Sequence, residues 1–439
     1  MIFFLLPRLS NINYQYIDYI QSPHPPSAVI SNSLSHYLND IKERIREYNH
    51  EWDIYKKHTN PYEYIHTIIP QKKRCISKFK PLSRSFFKMV EIVSYFKLGI
   101  DSPSALSTFH LAEGPGGFIE AMTILRKRND DKYVGMTILS DDTDPNIPAW
   151  KKSTQFLREN RNVYVETGAD KTGNILSVEN FEYCYEKYKS SMDIITADGG
   201  FDFSVDFNNQ ESNIAKLLFG QVLYAISMQK HHGSFILKIF DSFMQHSIDI
   251  LAILASFYEQ VYITKPKTSR YANSEKYVVC RGFLYSSVHD IFPFLLNAFK
   301  KCIYESTPSS PVDGLQSLQK PLFDSRFINI QIPGFFITKL EEYNAIFGQQ
   351  QIENIHYTLS LIDNKYKNDK IDNLTKMNVQ KCINWCMKHD IPYNTIDLNA
   401  NMFLSMDSNG PHANGLHANG LHANGLHANG LHANVLYSK

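Results

Sequence analysis

Phe109-His110-Leu111-Ala112-Glu113-Gly114-Pro115-Gly116-Gly117-Phe118 is the stretch on which the fold turns. Phe109–Glu113 reads as a strand, Gly114–Gly117 as a turn, and Phe118–Lys127 as a helix. Strand, glycine turn and helix in succession bring bare backbone against a ligand at a helix N-terminus. The turn is not G-x-G-x-x-G, and no Gly-Lys-Ser/Thr follows it. Dinucleotide and P-loop readings are therefore disfavoured. An ordinary strand-to-helix turn is the plainer alternative.

Outward from this turn, β-rich runs alternate with helical ones. The runs are Ser107–Leu111, Lys132–Leu139, Asn162–Thr167, Asp193–Thr196, Gly233–Phe240, Gln260–Thr264 and Lys276–Arg281. Between most of them lie helical stretches, at Phe118–Lys127, Val178–Lys189, Glu211–Lys230 and His246–Tyr258. This alternation predicts an α/β fold, a Rossmann-like, doubly wound, mostly parallel seven-stranded sheet. Only a loop, Lys265 to Glu275, joins the last two runs. It is too short for a helical crossover, so those strands should form an antiparallel hairpin.

The 439 residues are 43% hydrophobic, enough for one large domain with additions or for two domains. We expect a helical N-terminal extension over 1–70, with one helix from Ser33 to about Lys57. The sheet domain should span 71–290, followed by a C-terminal extension of unassigned fold over 291–408, broken at Pro308–Pro311. Residues 409–439 contain copies of Leu-His-Ala-Asn-Gly. That composition predicts a disordered tail rather than a metal site built from its histidines. A net charge of +1 means that any polyanion must be met by local basic patches. Six scattered cysteines suggest no disulfide framework and hence a reducing compartment. The opening apolar run Met1–Leu6 stops at Pro7-Arg8, too short for a signal core or a membrane span. No membrane partner is expected.

Four residues at strand mouths, or on the helix before one, carry the chemistry: Lys88, Asp198, Lys238 and Glu275. Lysine is a poor base near neutral pH unless desolvation or a neighbouring cation lowers its pKa. Two lysines in one cleft meet that need, and two carboxylates orient them. The plainer readings are Lys88 as a solvated helix residue, Asp198 as a turn residue and Glu275 as a surface acid. Lys238 lies within Gly233–Phe240, where an unpartnered ammonium is costly. Pro115 at the helix start suits a ligand that is not strongly anionic. S-adenosyl-L-methionine is one, its carboxylate meeting the loop amides. Asp170 is placed to accept from an adenine amino group, and Asp198 ends a strand at the edge where ligands sit.

The order Lys-Asp-Lys-Glu resembles the tetrad of the FtsJ-like RNA ribose 2′-O-methyltransferases. Ser83–Ile92 looks like the helix that carries the first lysine of that family. Gly135–Ile138, Asp193–Asp202 and Lys265–Cys280 are more similar to its cap-specific, Adrift-type branch. The resemblance spans about residues 80–285. It implies a methyltransferase that uses S-adenosyl-L-methionine on the ribose of the first transcribed nucleotides of capped mRNA. Lys238 would be the proton acceptor, supported by Lys88, Asp198 and Glu275. It implies cofactor contacts at Glu113, Gly114, Pro115, Gly116, Gly117, Phe118, Met136, Asp170 and Asp198. Glu113 departs from the smaller residue of bacterial members. An rRNA or tRNA ribose methyltransferase, and a non-enzymatic RNA-binding virion protein on the same fold, are the alternatives.

Lys72, Lys73, Arg74, Lys78, Lys80 and Arg84 cluster ahead of the first tetrad lysine, with Phe79, Phe86 and Phe87. They read as a phosphate-tracking groove with a stacking platform. Lys265, Lys267, Ser269 and Arg270 are expected on the other side of the RNA path. Cys382, Cys386 and His389 share one helix face, and Trp385 and Met387 beside them favour packing over metal binding. The repeat and the length point to a large cytoplasmic DNA virus as source. The expected location is the cytoplasm, with packaging in the virion and with other capping or transcription proteins as partners.

Overall fold

The computed structural model describes residues 1–22, 24–139, 149–200, 208–304, 325–365 and 368–396. The Phe201-Asp202 end of one motif, the Pro308–Pro311 break and the repeat tail lie outside the described residues. In chain order the strands are β1 (Ile2–Leu5), β2 (Ile17–Gln21), β3 (Ser107–Leu111), β4 (Lys132–Met136) and β5 (Val163–Glu166). They continue with β6 (Met192–Ala197), β7 (Gln229–Ile239), β8 (Tyr258–Lys265), β9 (Lys276–Phe283) and β10 (Ser325–Ile328). The helices are α1 (Asn32–Arg44), α2 (Asn49–Thr59), α3 (Ser85–Phe96), α4 (Gly117–Arg126), α5 (Thr154–Glu159) and α6 (Val178–Tyr188). Then come α7 (Gln210–Asn213), α8 (Ala215–Met228), α9 (Gln245–Phe257), α10 (Phe292–Tyr304), α11 (Gly334–Asp363) and α12 (Asn368–Lys388).

The central sheet has eight strands in the order β1-β8-β9-β7-β6-β3-β4-β5. β3, β4, β5, β6 and β7 run parallel to their neighbours among themselves. β9 inserts antiparallel between β7 and β8, so the expected hairpin is present. The strand order reverses between β3 and β6, which opens a crevice outside their carboxyl ends. Both faces are covered, and β3, β6 and the Phe235–Leu237 stretch of β7 are accordingly buried along most of their length. α8 is buried on nearly all sides, which fits its uniformly apolar sequence.

The sheet exceeds the expected seven strands by β1. This short apolar segment pairs antiparallel with β8, from Ile2 opposite Lys265 to Leu5 opposite Tyr262. The N-terminal region is also not purely helical, since β2 pairs antiparallel with β10. The single helix expected over Ser33–Lys57 is two helices, α1 and α2, separated by a 3-10 turn at Ile45–Glu47. Its apolar stripe is nonetheless real. Leu38, Ile41, Ile45 and Trp52 are buried against Ile352, Ile355 and Leu359 of α11. Residues 1–396 form one compact unit. Among the described residues no helix is long and apolar enough to cross a membrane.

Candidate active site

The four predicted residues converge at the crevice. Lys88 lies in the first turns of α3, and its Nζ donates to Glu275 Oε2 at 2.7 Å. Lys238 lies near the end of β7, and its Nζ donates to the Asp198 carbonyl at 2.7 Å. The Asp198 carboxylate stands 3.4 Å from the same Nζ. In the β7–β9 ladder Lys238 is opposite Tyr277, so the two side chains leave the sheet on one face. The Tyr277 hydroxyl donates to Asp198 Oδ1 at 2.8 Å. Its ring lies 5.8 Å from Lys88 Nζ and thereby joins the two ion pairs. Tyr277 carries this role although the sequence reading gave it none. The period-2 pattern of β9 tells which face it shares, not whose carboxylate it meets.

Burial drives the electrostatics. It lowers the Lys88 pKa; Glu275 opposes the shift, while Arg84 and Lys238 add to it. For Glu275 burial acts upward, but Lys88 and Lys238, with bonds from Lys88 and Ser269, hold it well below the carboxylate range. Burial, and then the Asp198 and Glu275 charges, push the Tyr277 phenol well above its ordinary value. Gly200 keeps the approach to Lys238 open. A Cβ at that residue would come within 3.1 Å of Lys238 Nζ.

The glycine turn lies beside this cluster. Gly116 has φ of 109°, a conformation that glycine adopts without strain. A Cβ on Gly117 would collide with the Ser83 and Ser85 hydroxyls, so α3 can approach α4 only because this position is bare. Phe118 is fully buried, with its ring 6.2 Å from that of Tyr277. The Glu113 carboxylate Oε1 accepts from the amides of Phe118 at 2.8 Å and Ile119 at 2.9 Å. These are amides of the first helical turn, beyond the Gly114–Gly117 loop whose amides are expected to meet a ligand carboxylate. Pro115 follows Gly114 in the same turn, and its carbonyl accepts from the Ser153 hydroxyl. Met136 is fully buried with its sulfur 3.9 Å from Cys184, so its side chain belongs to the core. Asp170 is exposed after β5, where Oδ1 accepts from Thr172 N and Oγ1 and from Asn180 Nδ2.

The residues expected along an RNA path divide. Lys73, Arg74, Lys78 and Lys80 are exposed and Lys72 is half-buried. Arg84 is half-buried beside Glu275 and Tyr277. Its guanidinium makes no hydrogen bond or ion pair among the described residues, and burial lowers its pKa. Lys267 lies over the Tyr62 ring at 5.9 Å. Arg270 is held by Glu63 through Nε at 2.9 Å and NH2 at 2.5 Å. Lys265 and Ser269 are buried behind Glu275, which corrects their placement on the RNA path. Phe86 and Phe87 are likewise in the core, and the Phe79 ring packs tilted against Phe86 at 4.9 Å. The aromatic platform is therefore a packing cluster. It formed on an apolar stripe of α3 whose period matches core as well as it matches stacking. Cys382 and Cys386 are buried, and the Trp385 ring packs tilted against His389 at 4.4 Å. Glu63 and Glu91, both buried, are structural acids of this region that sequence gave no signal for.

Residues 81–283 match the profile of the FtsJ-like methyltransferase family. The chain is 26% identical over 384 residues to a cap-specific mRNA (nucleoside-2′-O-)-methyltransferase 2 of Drosophila melanogaster, covering 79% of this chain and 52% of that protein. It is 29% identical over 279 residues to a cap-specific mRNA (nucleoside-2′-O-)-methyltransferase 1 of Trypanosoma brucei brucei, covering 63% and 70%. The chain thus spans about half the length of the first of these relatives. Among solved structures, human methyltransferase-like protein 13 in complex with SAH aligns at 12% identity with a TM-score of 0.31. That alignment covers 53% of this chain and 94% of the human one. The four site residues, the glycine turn and the crevice all lie within residues 81–283, the span that matches the FtsJ-like methyltransferase family.

Proposed function

We propose that this chain is an S-adenosylmethionine-dependent RNA ribose 2′-O-methyltransferase acting on the 5′ end of capped mRNA, with Lys238 as the proton acceptor. The observation that carries this reading is the position of Lys238. Its Nζ is oriented by Asp198 and faces the space that Gly200 leaves, with the Lys88–Glu275 pair alongside. Cap specificity is supported by the names of the relatives.

The crevice fits the methyl donor in its donor set. Among the described residues, the side chains nearest the glycines of the turn are those of Leu82, Ser83, Ser85, Thr137, Trp150 and Ser153. A cationic nucleoside would meet the carboxylates of Asp198 and Asp170. When bound, S-adenosylmethionine supplies a methyl group already activated on a sulfonium. What remains for the chain is to hold the acceptor in line and take its proton. Neutral Lys238 keeps its bond to the Asp198 carbonyl and offers its lone pair to the 2′-hydroxyl. The proton then resides on Nζ, paired with the Asp198 carboxylate that Tyr277 steadies. Arg84, with no hydrogen bond from its guanidinium among the described residues, is suited to an RNA phosphate, and the exposed Lys73, Arg74, Lys78 and Lys80 suit the same backbone. A viral source and cytoplasmic location rest on the terminal repeat and the length alone.

Methyl transfer to capped and uncapped transcripts of one sequence tests the reading. We expect label on the 2′-oxygen of the first transcribed nucleotides of the capped RNA only. Equal labelling of both RNAs removes the cap from the proposal. Calorimetry that detects no S-adenosylmethionine binding at millimolar ligand removes the enzyme.

A further inference from the structure

Lys265 ends β8 and Glu275 immediately precedes β9, so the two flank the hairpin loop. Lys265 Nζ donates to Asn273 O at 2.6 Å, Asn273 Oδ1 at 3.0 Å and Glu275 O at 2.7 Å. An ammonium has three N–H donors, and here all three are used on the chain's own loop. None remains for a phosphate. Ser269 is fully buried, and its hydroxyl donates to Glu275 Oε1 at 2.7 Å. Lys88 Nζ straddles that carboxylate, 2.7 Å from Oε1 and donating to Oε2 at 2.7 Å. The loop is fixed again by Glu91, one helical turn after Lys88 on α3. Its carboxylate accepts from the amides of Lys267 at 2.8 Å and Thr268 at 3.2 Å.

We propose that Lys265 and Ser269 are positioning residues that lock the Glu275 carboxylate and, through it, the Lys88 ammonium for methyl transfer. This rests on the function proposed above. The backbone of Glu275 is held from beneath by Lys265 and its side chain by Ser269, so its orientation is set before substrate arrives. The Lys265 amine is faced by Glu275, Lys276, Lys88 and Asp241. Burial above all pushes its pKa down to about 7. Loss of its proton removes one of three donors, so the grip on the loop weakens as pH rises above neutral.

The test uses the full chain with Lys265→Met and Ser269→Ala, read by kcat, KM for capped RNA, pH profile and the salt dependence of RNA binding. One lost hydrogen bond to a charged group corresponds to roughly 10–100-fold in rate. We expect kcat to fall by about that factor in Ser269→Ala, which loses one bond to Glu275, and by at least that factor in Lys265→Met, which loses three, with KM and the salt slope unchanged. The alkaline decline of the wild-type rate should disappear in Lys265→Met. A salt slope reduced by about one with kcat retained would make these residues phosphate contacts and overturn the proposal. Unchanged kcat in both variants overturns it as well. Should Lys265→Met fail to fold, Ser269→Ala decides, because loss of one hydroxyl leaves the other loop bonds in place. An active wild type with unaffected variants sinks this inference alone; an inactive wild type sinks the functional reading, and this inference with it.

Discussion

At the scale of single residues, Lys238 is where the reading is most exposed to test. Lys238→Ala removes the proposed proton acceptor and leaves the glycine turn, Glu113 and Asp170 in place. Cofactor affinity measured by calorimetry should change little, while transfer falls by about 10²–10⁴-fold, the usual contribution of a positioned acid–base group. Lys238→Arg should not restore the rate, since a guanidinium does not give up its proton near neutral pH. Asp198 orients Lys238 and also edges the cofactor crevice, so Asp198→Ala should weaken binding and rate together. Near-normal turnover by a folded Lys238→Ala protein would end the assignment. The four tetrad residues were legible because each sits where an apolar run meets a polar residue, a place where a charge needs a reason. Tyr277 was not, because its hydroxyl acts across the ladder on a residue 79 positions away. Lys265 and Ser269 misled for a related cause: a basic or hydroxylic residue in a loop looks the same in sequence whether it faces solvent or staples the loop from within.

At the scale of elements, the turn from β3 into α4 combines a legible feature with a hidden one. The strand, the glycines and the helix follow from sequence, as do β3 to β9 to within a few residues. β1, β2 and β10 escaped because each has at most five residues and is stabilised by a distant partner rather than by its own pattern. The hidden feature is the capping role of Glu113. Burial, with Asp198 and Glu120 nearby, pushes its carboxyl up to about 8, against the pull of the Phe118 and Ile119 amides. In the unfolded chain the same group titrates near 4.5. Between those values the folded protein holds a proton that the unfolded chain has released. Stability should therefore fall as pH rises through that window. Glu113→Gln keeps an oxygen for the two amides and cannot ionise. Chemical denaturation of wild type and variant at pH 5 and pH 8 should show the variant gaining on the wild type at the higher pH, by on the order of a few kcal/mol. Parallel pH dependences would mean that Glu113 is ionised in the folded protein throughout.

At the scale of the whole molecule, the residues that flank the sheet domain are built into one unit with it. Sequence suggested extensions, because charged helices and mixed patterns on either side of an alternating β/α core carry no sign of what they cover. In the structure, Lys42 of α1 donates to Asp241 at 3.0 Å, and Lys276, the residue after Glu275, lies 3.5 Å from the same carboxylate. All three are buried, with Lys42 and Lys276 each 5% exposed. For Asp241 burial acts upward, yet the two lysines hold its pKa below the ordinary value. An N-terminal helix is thus tied by a desolvated charge to the strand that positions the tetrad. Removing one partner of such a group leaves a buried charge undercompensated, at about 3–5 kcal/mol. Lys42→Met should therefore lower the melting temperature of the entire unit and leave a single cooperative transition. The same variant should lose methyl transfer in step with its folded fraction, since its own site residues are untouched. A separate early transition, with the remaining protein melting as the wild type does, would show that the N-terminal region folds apart from the sheet. That outcome would also leave the Lys88–Glu275 pair independent of the Asp241 charge, because the start of β9 would then hold its place without α1.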